Sequence, residues 1–311
     1  MKDKTSEAIE WLSKTLGQDS FNLIKLRQEA SSRIYFRVSA EDASYILSVN
    51  EKNSEQAAKF LYSSKILKNH SVSVPDIYAF SENLEFILQE DFGDKTLDTA
   101  NSIEESNLIN QALSELSKIY AVDQTVLKSF TEEDLLNQTN NFFKIFSYKK
   151  NELKAEDKLK IDSLRKDLVN KLMQQPFFPT HNDFERRNFL IRDGSLCIID
   201  HQDLNIAPIG IDLASLLFDH DFSFDDKLID AALSKHIGMN ALNFTSEELK
   251  NSILVALAHR SMRIVGTFIC YFEDGHLLNR KKDIDKFLNR IVYSLDELNY
   301  SQQSKLIKRL L

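Results

Sequence analysis

Hydrophobic and polar positions along the first 91 residues change their spacing more than once. Two segments repeat apolar residues with helical spacing, and three shorter segments are rich in β-branched and aromatic residues, which favours strands. In chain order, the predicted elements are a helix at 6–16, strands at 33–38 and 45–49, a helix at 54–69 and a strand at 86–89. The pattern therefore predicts a small mixed α/β unit that ends near Asp91.

The rest of the chain has mainly helical spacing. Its last long helix has a clear predicted start, because Thr245 and Glu248 have the spacing of a capping box, and it can run to about Phe272. Seven glycines and four prolines in the whole chain fit many helices and few sharp turns. The fold class is therefore predicted to be α+β, with a small β-rich part at 1–91 and a larger, mainly helical part at 92–311.

The segment 188–200 interrupts the helical pattern and predicts a β-hairpin. If Arg192-Asp193-Gly194 forms a three-residue loop, Asn188 lies opposite Ile198, and the alternation of side chains puts Asp200 on the same face as Asn188. Two oxygen ligands would then converge at the open end of the hairpin. That arrangement suits Mg²⁺, which takes few protein ligands and completes its octahedron with water and phosphate oxygens. A tighter two-residue Asp-Gly turn would shift the pairing by one residue and remove this convergence.

Asp183 lies five residues before Asn188, in the loop that enters the hairpin. A carboxylate there can accept a proton from a substrate hydroxyl, or orient it, towards a metal-held phosphate. We expect the ring of His181 to fix this loop. Without further information, the same residues also fit a solvated acidic loop.

Composition and charge limit the partners of the chain. Its 311 residues carry a formal net charge of −8, so wholesale binding to nucleic acid or to an anionic membrane is not expected. The N-terminal segment lacks the apolar core of a signal peptide, and we expect no apolar run long enough to span a bilayer. A cytoplasmic protein, monomeric or weakly dimeric, with a small-molecule substrate is therefore expected.

The spacing His181-x-Asp183-x-x-x-x-Asn188, followed by Ile199-Asp200, resembles the catalytic loop and metal-binding aspartate of aminoglycoside phosphotransferases and choline kinases. The resemblance narrows to the bacterial cell-wall amino-sugar kinases, which phosphorylate N-acetylmuramic acid and N-acetylglucosamine on the anomeric hydroxyl in peptidoglycan recycling. The segments that carry it, in order, are 30–37, 88–94, 181–190, 199–203, 212–217 and 259–268.

This resemblance implies the bilobal protein-kinase-like fold, with nucleotide bound by 1–91 and catalysis and substrate binding in 92–311. It implies ATP and Mg²⁺ as cofactors. By this resemblance Asp183 is catalytic, with His181 in the same loop, and Asp212 supports that loop structurally. Asn188 and Asp200 are magnesium ligands. The backbone of Gln89, Glu90, Asp91 and Phe92 contacts adenine, and Asp203, Arg260 and Arg263 lie on the sugar side. A helix-surface salt bridge remains the alternative role for both arginines.

The chain departs from the family pattern at the phosphates. Its nucleotide loop has no glycine, so Ser31 and Ser32 are expected to cradle phosphate with hydroxyl and backbone groups. The lysine found on the third strand of protein kinases is also missing. Arg33 or Arg37 can supply the positive charge, although both also fit solvent-facing strand positions.

The chain also departs from the pattern on the sugar side. Asn182 and Glu185 replace a basic residue and a histidine, and Ala207, Ile211 and Phe218 replace a glycine, a tyrosine and an arginine. These changes leave the acceptor open. The prediction is ATP-dependent transfer of phosphate to the anomeric hydroxyl of an amino sugar. The alternatives are a kinase of the same fold for an aminoglycoside, choline or another amino alcohol, and a catalytically silent nucleotide-binding scaffold.

Overall fold

The computed structural model describes residues 4–26, 33–41, 43–100, 102–218 and 226–311, without the side chains of 102–104. The strands are β1 (Asn22–Lys25), β2 (Ile34–Ala40), β3 (Ala43–Val49), β4 (Ile77–Phe80), β5 (Phe86–Glu90), β6 (Phe177–Thr180), β7 (Phe189–Arg192), β8 (Ser195–Ile198) and β9 (Asn205–Pro208). The helices are α1 (Lys4–Leu16), α2 (Glu55–Asn69), α3 (Ser102–Tyr120), α4 (Glu132–Gln138), α5 (Lys144–Tyr148), α6 (Ala155–Met173), α7 (Gly210–Leu217), α8 (Asp226–Met239), α9 (Ser246–Glu273), α10 (Asp283–Glu297) and α11 (Ser301–Lys308).

The chain divides into two compact units. The first comprises 1–99 together with 187–203, and the second comprises 100–186 and 204–311. The hairpin β7–β8 therefore belongs to the first unit, although it lies beyond residue 92 in the sequence. The predicted functional division into 1–91 and 92–311 stays a prediction.

The first unit is built on an antiparallel sheet in the order β1-β2-β3-β5-β4. Alternate residues of β5 point to opposite faces of this sheet. Phe86 and Leu88 pack with buried residues of α1, such as Leu12. Ile87 packs on the other face with Phe60 of α2. Both faces of the sheet are thus covered by a helix, which explains why the first four residues of β5 are all buried.

The hairpin register differs from the first prediction. Arg192 pairs with Ser195 and Phe189 with Ile198, so Asp193-Gly194 is a two-residue turn. Both turn residues have positive φ, 52° and 75°, as the twist of a type I′ hairpin requires. The predicted three-residue loop is wrong, and the tighter alternative is the one the chain adopts.

The second unit is mainly helical and has α9 near its centre. Thr245 and Glu248 form both hydrogen bonds of the predicted capping box at the start of this helix. By length and composition alone α9 could cross a membrane, contrary to the expectation from the sequence. However, 72% of its most apolar window is buried within the protein. A β-rich first part followed by a mainly helical part confirms the predicted α+β class.

Candidate active site

The loop that begins at His181 is fixed through its backbone by Asp212. The carboxylate of Asp212, at the start of α7, accepts the N–H of His181 at 2.7 Å and that of Asn182 at 2.9 Å. Burial raises the pKa of Asp212 to about 7, and the two N–H donors oppose that rise. Asn182 has a positive φ of 71°, so the chain turns sharply just before Asp183.

Asp183 is held by its side chain as well as by the loop. Arg260 of α9 donates from Nη2 to Asp183 Oδ1 at 2.9 Å and to Glu185 Oε2 at 3.3 Å. The ring of His181, fully buried, accepts the backbone N–H of Asp183 at Nδ1 at 3.3 Å. Burial opposes ionisation of Asp183, but the charges of Arg260 and Arg263 outweigh it and hold its pKa below the usual value. The carboxylate is therefore ionised at neutral pH.

A small, open cavity lies beside this loop in the second unit. Its lining includes Phe130, Gln138, Asn182, Ile211, Arg260 and Arg263. The cavity adjoins Asp183, because Asn182 precedes that residue and Arg260 is bonded to it. The Asp183 side chain is 38% exposed, whereas that of Glu185 is 5% exposed. The carboxylate of Asp183 is therefore accessible from outside the protein, whereas that of Glu185 is buried.

The two predicted metal ligands lie at one end of the hairpin in the first unit. Ile199 donates its backbone N–H to the carbonyl of Asn188 at 2.9 Å, and Asp200 follows Ile199 directly. Asp200 has a left-handed φ of 64° and a side chain that is 42% exposed. Gln202 donates to its Oδ1 at 3.0 Å. An amide oxygen and an exposed carboxylate are hard donors, so this pair fits Mg²⁺.

The two arginines considered for phosphate differ in their partners. Arg33 Nη2 lies 3.7 Å from Oδ1 of Asp200. Arg37 is held by two carboxylates, with hydrogen bonds of 2.7 and 3.1 Å to Asp91 and of 2.6 and 2.8 Å to Asp94. Arg37 therefore ties β2 to the segment after β5, whereas Arg33 lies beside a predicted metal ligand.

The predicted adenine segment starts within the sheet. Gln89 is buried in β5, and the N–H of Glu90 donates to Asp76 at 2.8 Å. Arg192 lies over the ring of Phe92 at 3.9 Å and also forms an ion pair with Glu90. Ser31 and Ser32 lie outside the described residues, and Asp203 is exposed.

Several residues at the site were not predicted from the sequence. Glu185 was noted only as a departure from the family pattern. Arg186, which closes the loop, donates to Leu216 O at 3.0 Å and forms an ion pair with Glu105. Phe130 and Gln138 reach the cavity from a segment about fifty residues earlier, and no local motif marks them.

Solved structures with similar folds include kinases of small molecules. A choline/ethanolamine kinase family protein from Mesorhizobium loti aligns with a TM-score of 0.71 at 13% identity, over 99% of this chain and 100% of that one. Choline kinase from Streptococcus pneumoniae gives 0.67 at 16%, over 96% and 100%. A spectinomycin phosphotransferase solved with ADP and spectinomycin gives 0.62 at 14%, over 92% and 93%. These likenesses confirm the predicted bilobal protein-kinase-like fold.

Curated relatives are similar in sequence at a modest level. The N-acetylmuramate/N-acetylglucosamine kinase of Neisseria meningitidis is 27% identical over 228 residues, 70% of this chain and 68% of the relative. The Pseudomonas aeruginosa enzyme of the same name is 25% identical over 265 residues, 81% of this chain and 78% of the relative.

The sequence model of the phosphotransferase enzyme family matches residues 22–242, which is more than half of the chain. That span includes the loop of Asp183, the hairpin with Asn188 and Asp200, and the start of α7 with Asp212. The chain therefore belongs to the phosphotransferase enzyme family and is a small-molecule phosphotransferase.

Proposed function

We propose that the chain transfers the γ-phosphate of ATP to the anomeric hydroxyl of an N-acetylated amino sugar, N-acetylmuramic acid or N-acetylglucosamine, in cell-wall recycling. The observation that carries the proposal is the ionised, partly exposed carboxylate of Asp183 beside a cavity that contains two arginines. The names of the curated relatives support the same acceptor.

Asp183 orients the acceptor hydroxyl and takes up its proton as the phosphate is transferred. A carboxylate with a lowered pKa is a weak base, which suits this reaction because an anomeric hydroxyl is more acidic than an ordinary alcohol. Phosphoryl transfer depends mainly on alignment and on charge stabilisation rather than on a strong base. The anchors from Asp212 and Arg260 supply that alignment.

Asn188 and Asp200 would hold Mg²⁺ through their side-chain oxygens. A bound Mg²⁺ would neutralise charge on the phosphates of ATP. Arg33 supplies the cation that the third strand lacks, because it lies beside Asp200 while Arg37 is engaged by Asp91 and Asp94. The remaining predicted contacts with nucleotide, from Ser31 and Ser32 and from the backbone after Gln89, belong to the same proposal.

The charges near the cavity favour a neutral or anionic acceptor over a polycation. Arg260 and Arg263 carry two positive charges, and Asp183 and Glu185 carry two negative ones, so these four side chains balance. An aminoglycoside or choline is best bound by a net negative pocket. Arg263 lines the cavity and is a candidate for binding an acceptor carboxylate. A cationic acceptor remains the second candidate because choline kinases share the fold.

An acceptor panel tests this proposal. ATP consumption is measured with Mg²⁺ and N-acetylmuramic acid, N-acetylglucosamine, choline or kanamycin, and the product is identified by ³¹P NMR. The proposal predicts turnover with an amino sugar and a product phosphorylated at the anomeric position. Turnover with only choline or kanamycin would contradict the amino-sugar proposal and support the second candidate function. Binding of ATP with no turnover on any acceptor would withdraw the amino-sugar assignment.

A further inference from the structure

We propose that Arg260 and Glu185 are positioning residues that set the direction and ionisation of Asp183, an inference that rests on the proposed role of Asp183. One guanidinium nitrogen, Nη2 of Arg260, bonds to carboxylates two residues apart in the same loop. Arg260 thus acts on the reaction through Asp183, in addition to any contact with the acceptor.

The carboxylates of Asp183 and Glu185 differ in burial, and this difference indicates different roles. The side chains of Arg260 and Glu185 are 8% and 5% exposed, so each is a buried charge that requires its partner. Asp183 is far more exposed and adjoins the cavity. Glu185 therefore anchors the guanidinium, and the guanidinium in turn anchors the carboxylate that meets the substrate.

The helix α9, which carries Arg260, is rigid enough to position the carboxylate of Asp183. It lies in the middle of α9, a 28-residue helix with a complete capping box and a largely buried surface. Gly266 of the same helix packs directly against the backbone at Asn141 and Phe142. A side chain fixed on such an element can hold a neighbour to a fraction of an ångström, which a loop alone does not do.

The loop is consequently held from three directions. Asp212 fixes the backbone at its start, Arg186 fixes its end by bonding to Leu216 O, and Arg260 fixes the side chain of Asp183 between these points. Arg260 bonds to the proposed catalytic carboxylate itself, whereas Asp212 and the Nε of Arg186 bond to backbone groups. Its loss should therefore slow the chemical step, and it should also lower stability, because Glu185 is left buried without its counter-ion.

The kinetic test compares Arg260→Gln, Arg260→Lys and Arg290→Gln. Arg290 is the matched control, because it is a buried arginine of α10 that donates to the carbonyl oxygens of Phe218 and Lys286. We expect Arg260→Gln to lower kcat by about 100-fold with little change in KM for ATP, Arg260→Lys to recover part of the loss, and Arg290→Gln to retain kcat. A rise in acceptor KM with unchanged kcat would overturn the proposal in favour of simple substrate binding.

A double-mutant cycle tests whether Arg260 acts through Asp183. In an Asp183→Asn background, Arg260→Gln should reduce the remaining rate by less than about threefold, because the interaction is already lost. Full additivity of the two losses would contradict the proposal. Glu185→Gln should lose less than Arg260→Gln, and a larger loss would show that Glu185 does not act through Arg260.

A readout that does not need turnover separates this inference from the proposed function. The pKa of Asp183 can be followed by carboxyl ¹³C NMR, with His181, Arg263, Glu185 and Asp212 as the other titratable or charged groups around it. Arg260→Gln should raise this pKa, and Arg290→Gln should leave it unchanged. An unchanged pKa in Arg260→Gln would overturn the inference. Absence of turnover in the wild type with every acceptor would instead contradict the proposed function.

Discussion

Arg37 is bonded to Asp91 through two of its nitrogens, Nε at 2.7 Å and Nη2 at 3.1 Å. The Asp91 side chain is 7% exposed, and Ser44 and the N–H of Gly93 also donate to it. An arginine engaged in this way holds the sheet to the following segment. We therefore propose Arg33, and not Arg37, as the cation that binds phosphate.

Substitution of the two arginines should separate stability from nucleotide binding. Arg37→Gln leaves a buried carboxylate without its counter-ion and should lower the free energy of unfolding by about 2 kcal/mol. Arg33→Gln should lower stability less than Arg37→Gln does, because its partner Asp200 is 42% exposed, and it should weaken ATP binding by about tenfold without weakening adenosine binding. Calorimetric titration and denaturant unfolding of both variants check this. Equal losses of ATP affinity in the two variants would contradict the assignment.

Gly266 in α9 should not tolerate replacement by a residue with a side chain. A Cβ there would lie 2.7 Å from the carbonyl carbon of Asn141 and 2.8 Å from the backbone nitrogen of Phe142. Gly266→Ala should therefore lower the free energy of unfolding by about 2 kcal/mol. Gly238→Ala is the control, because Gly238 lies in α8 with nothing within 4 Å of its Cβ, and it should raise stability by about 0.5 kcal/mol. Urea unfolding of both variants measures the difference, and equal effects would contradict the close packing of α9.

Acid should destabilise the fold partly through His236. Burial lowers its pKa from 6.5 to about 4, and its Nε2 has no hydrogen-bond partner among the described residues. In the unfolded chain the His236 ring is protonated below pH 6.5, whereas in the folded chain it stays neutral down to about pH 4. The stabilising contribution of the neutral ring is thus complete above pH 6.5 and falls by about 1.4 kcal/mol per pH unit within that window.

The test is the difference in pH dependence between wild type and His236→Phe, which keeps an aromatic ring against Tyr120. Asp212 contributes to the pH dependence of stability with the opposite sign, because its raised pKa makes stability fall as pH rises from about 4 to 7. This contribution is the same in both proteins and cancels in the difference between them. His236→Phe should therefore lose less stability between pH 7 and pH 5. Substitution of the exposed His276 by Asn should leave the slope unchanged. An identical slope in wild type and His236→Phe would contradict this account of the buried ring.

Substitution of Arg263 should affect acceptors that carry a carboxylate more than acceptors that lack one. It lines the cavity with Arg260, whose guanidinium is already engaged by Asp183 and Glu185. Arg263→Gln should raise KM for N-acetylmuramic acid by about tenfold, because a charge-assisted contact is lost. KM for N-acetylglucosamine, which has no carboxylate, should change little. Steady-state kinetics with both sugars provides the control within one variant, and a parallel rise in both KM values would contradict the role.

The sequence was sufficient for elements with strong local signals. The capping box of Thr245 and Glu248 defined the start of α9, and the apolar stretches at β2, β3 and β5 marked the central strands. The four-residue strands β1, β4, β6 and β9 were not predicted. Strands of that length lack enough alternating positions to be recognised without their partners.

The hairpin shows why local geometry could mislead. Asp193-Gly194 favours a two-residue turn, but the three-residue alternative also placed the two metal-ligand candidates on one face. In the structure, Asp200 lies beyond the ladder with φ of 64°, so strand alternation does not govern its direction. The pairing of Arg192 with Ser195 shows that the chain adopts the two-residue turn that Asp193-Gly194 favours.

The partners of the arginines could not be predicted at all. Arg33, Arg37, Arg260 and Arg263 are all candidate site residues by sequence, yet no sequence pattern ranks them. Arg37 meets carboxylates 54 and 57 residues away, and Arg260 meets Asp183 across 77 residues. Such contacts depend on tertiary packing, so only the structure separates cations that hold the fold from those placed to act on a substrate.

The most direct test of the central claim is the rate of the Asp183→Asn variant with MgATP and an accepted amino sugar. The substitution keeps the size of the side chain and removes its charge and basicity. We expect kcat to fall by at least about 100-fold while the Kd for MgATP, measured by calorimetry, stays within about twofold of the wild type. An Asp183→Asn variant that turns over at the wild-type rate would contradict the account, because the chemical step would then not depend on the carboxylate at its centre.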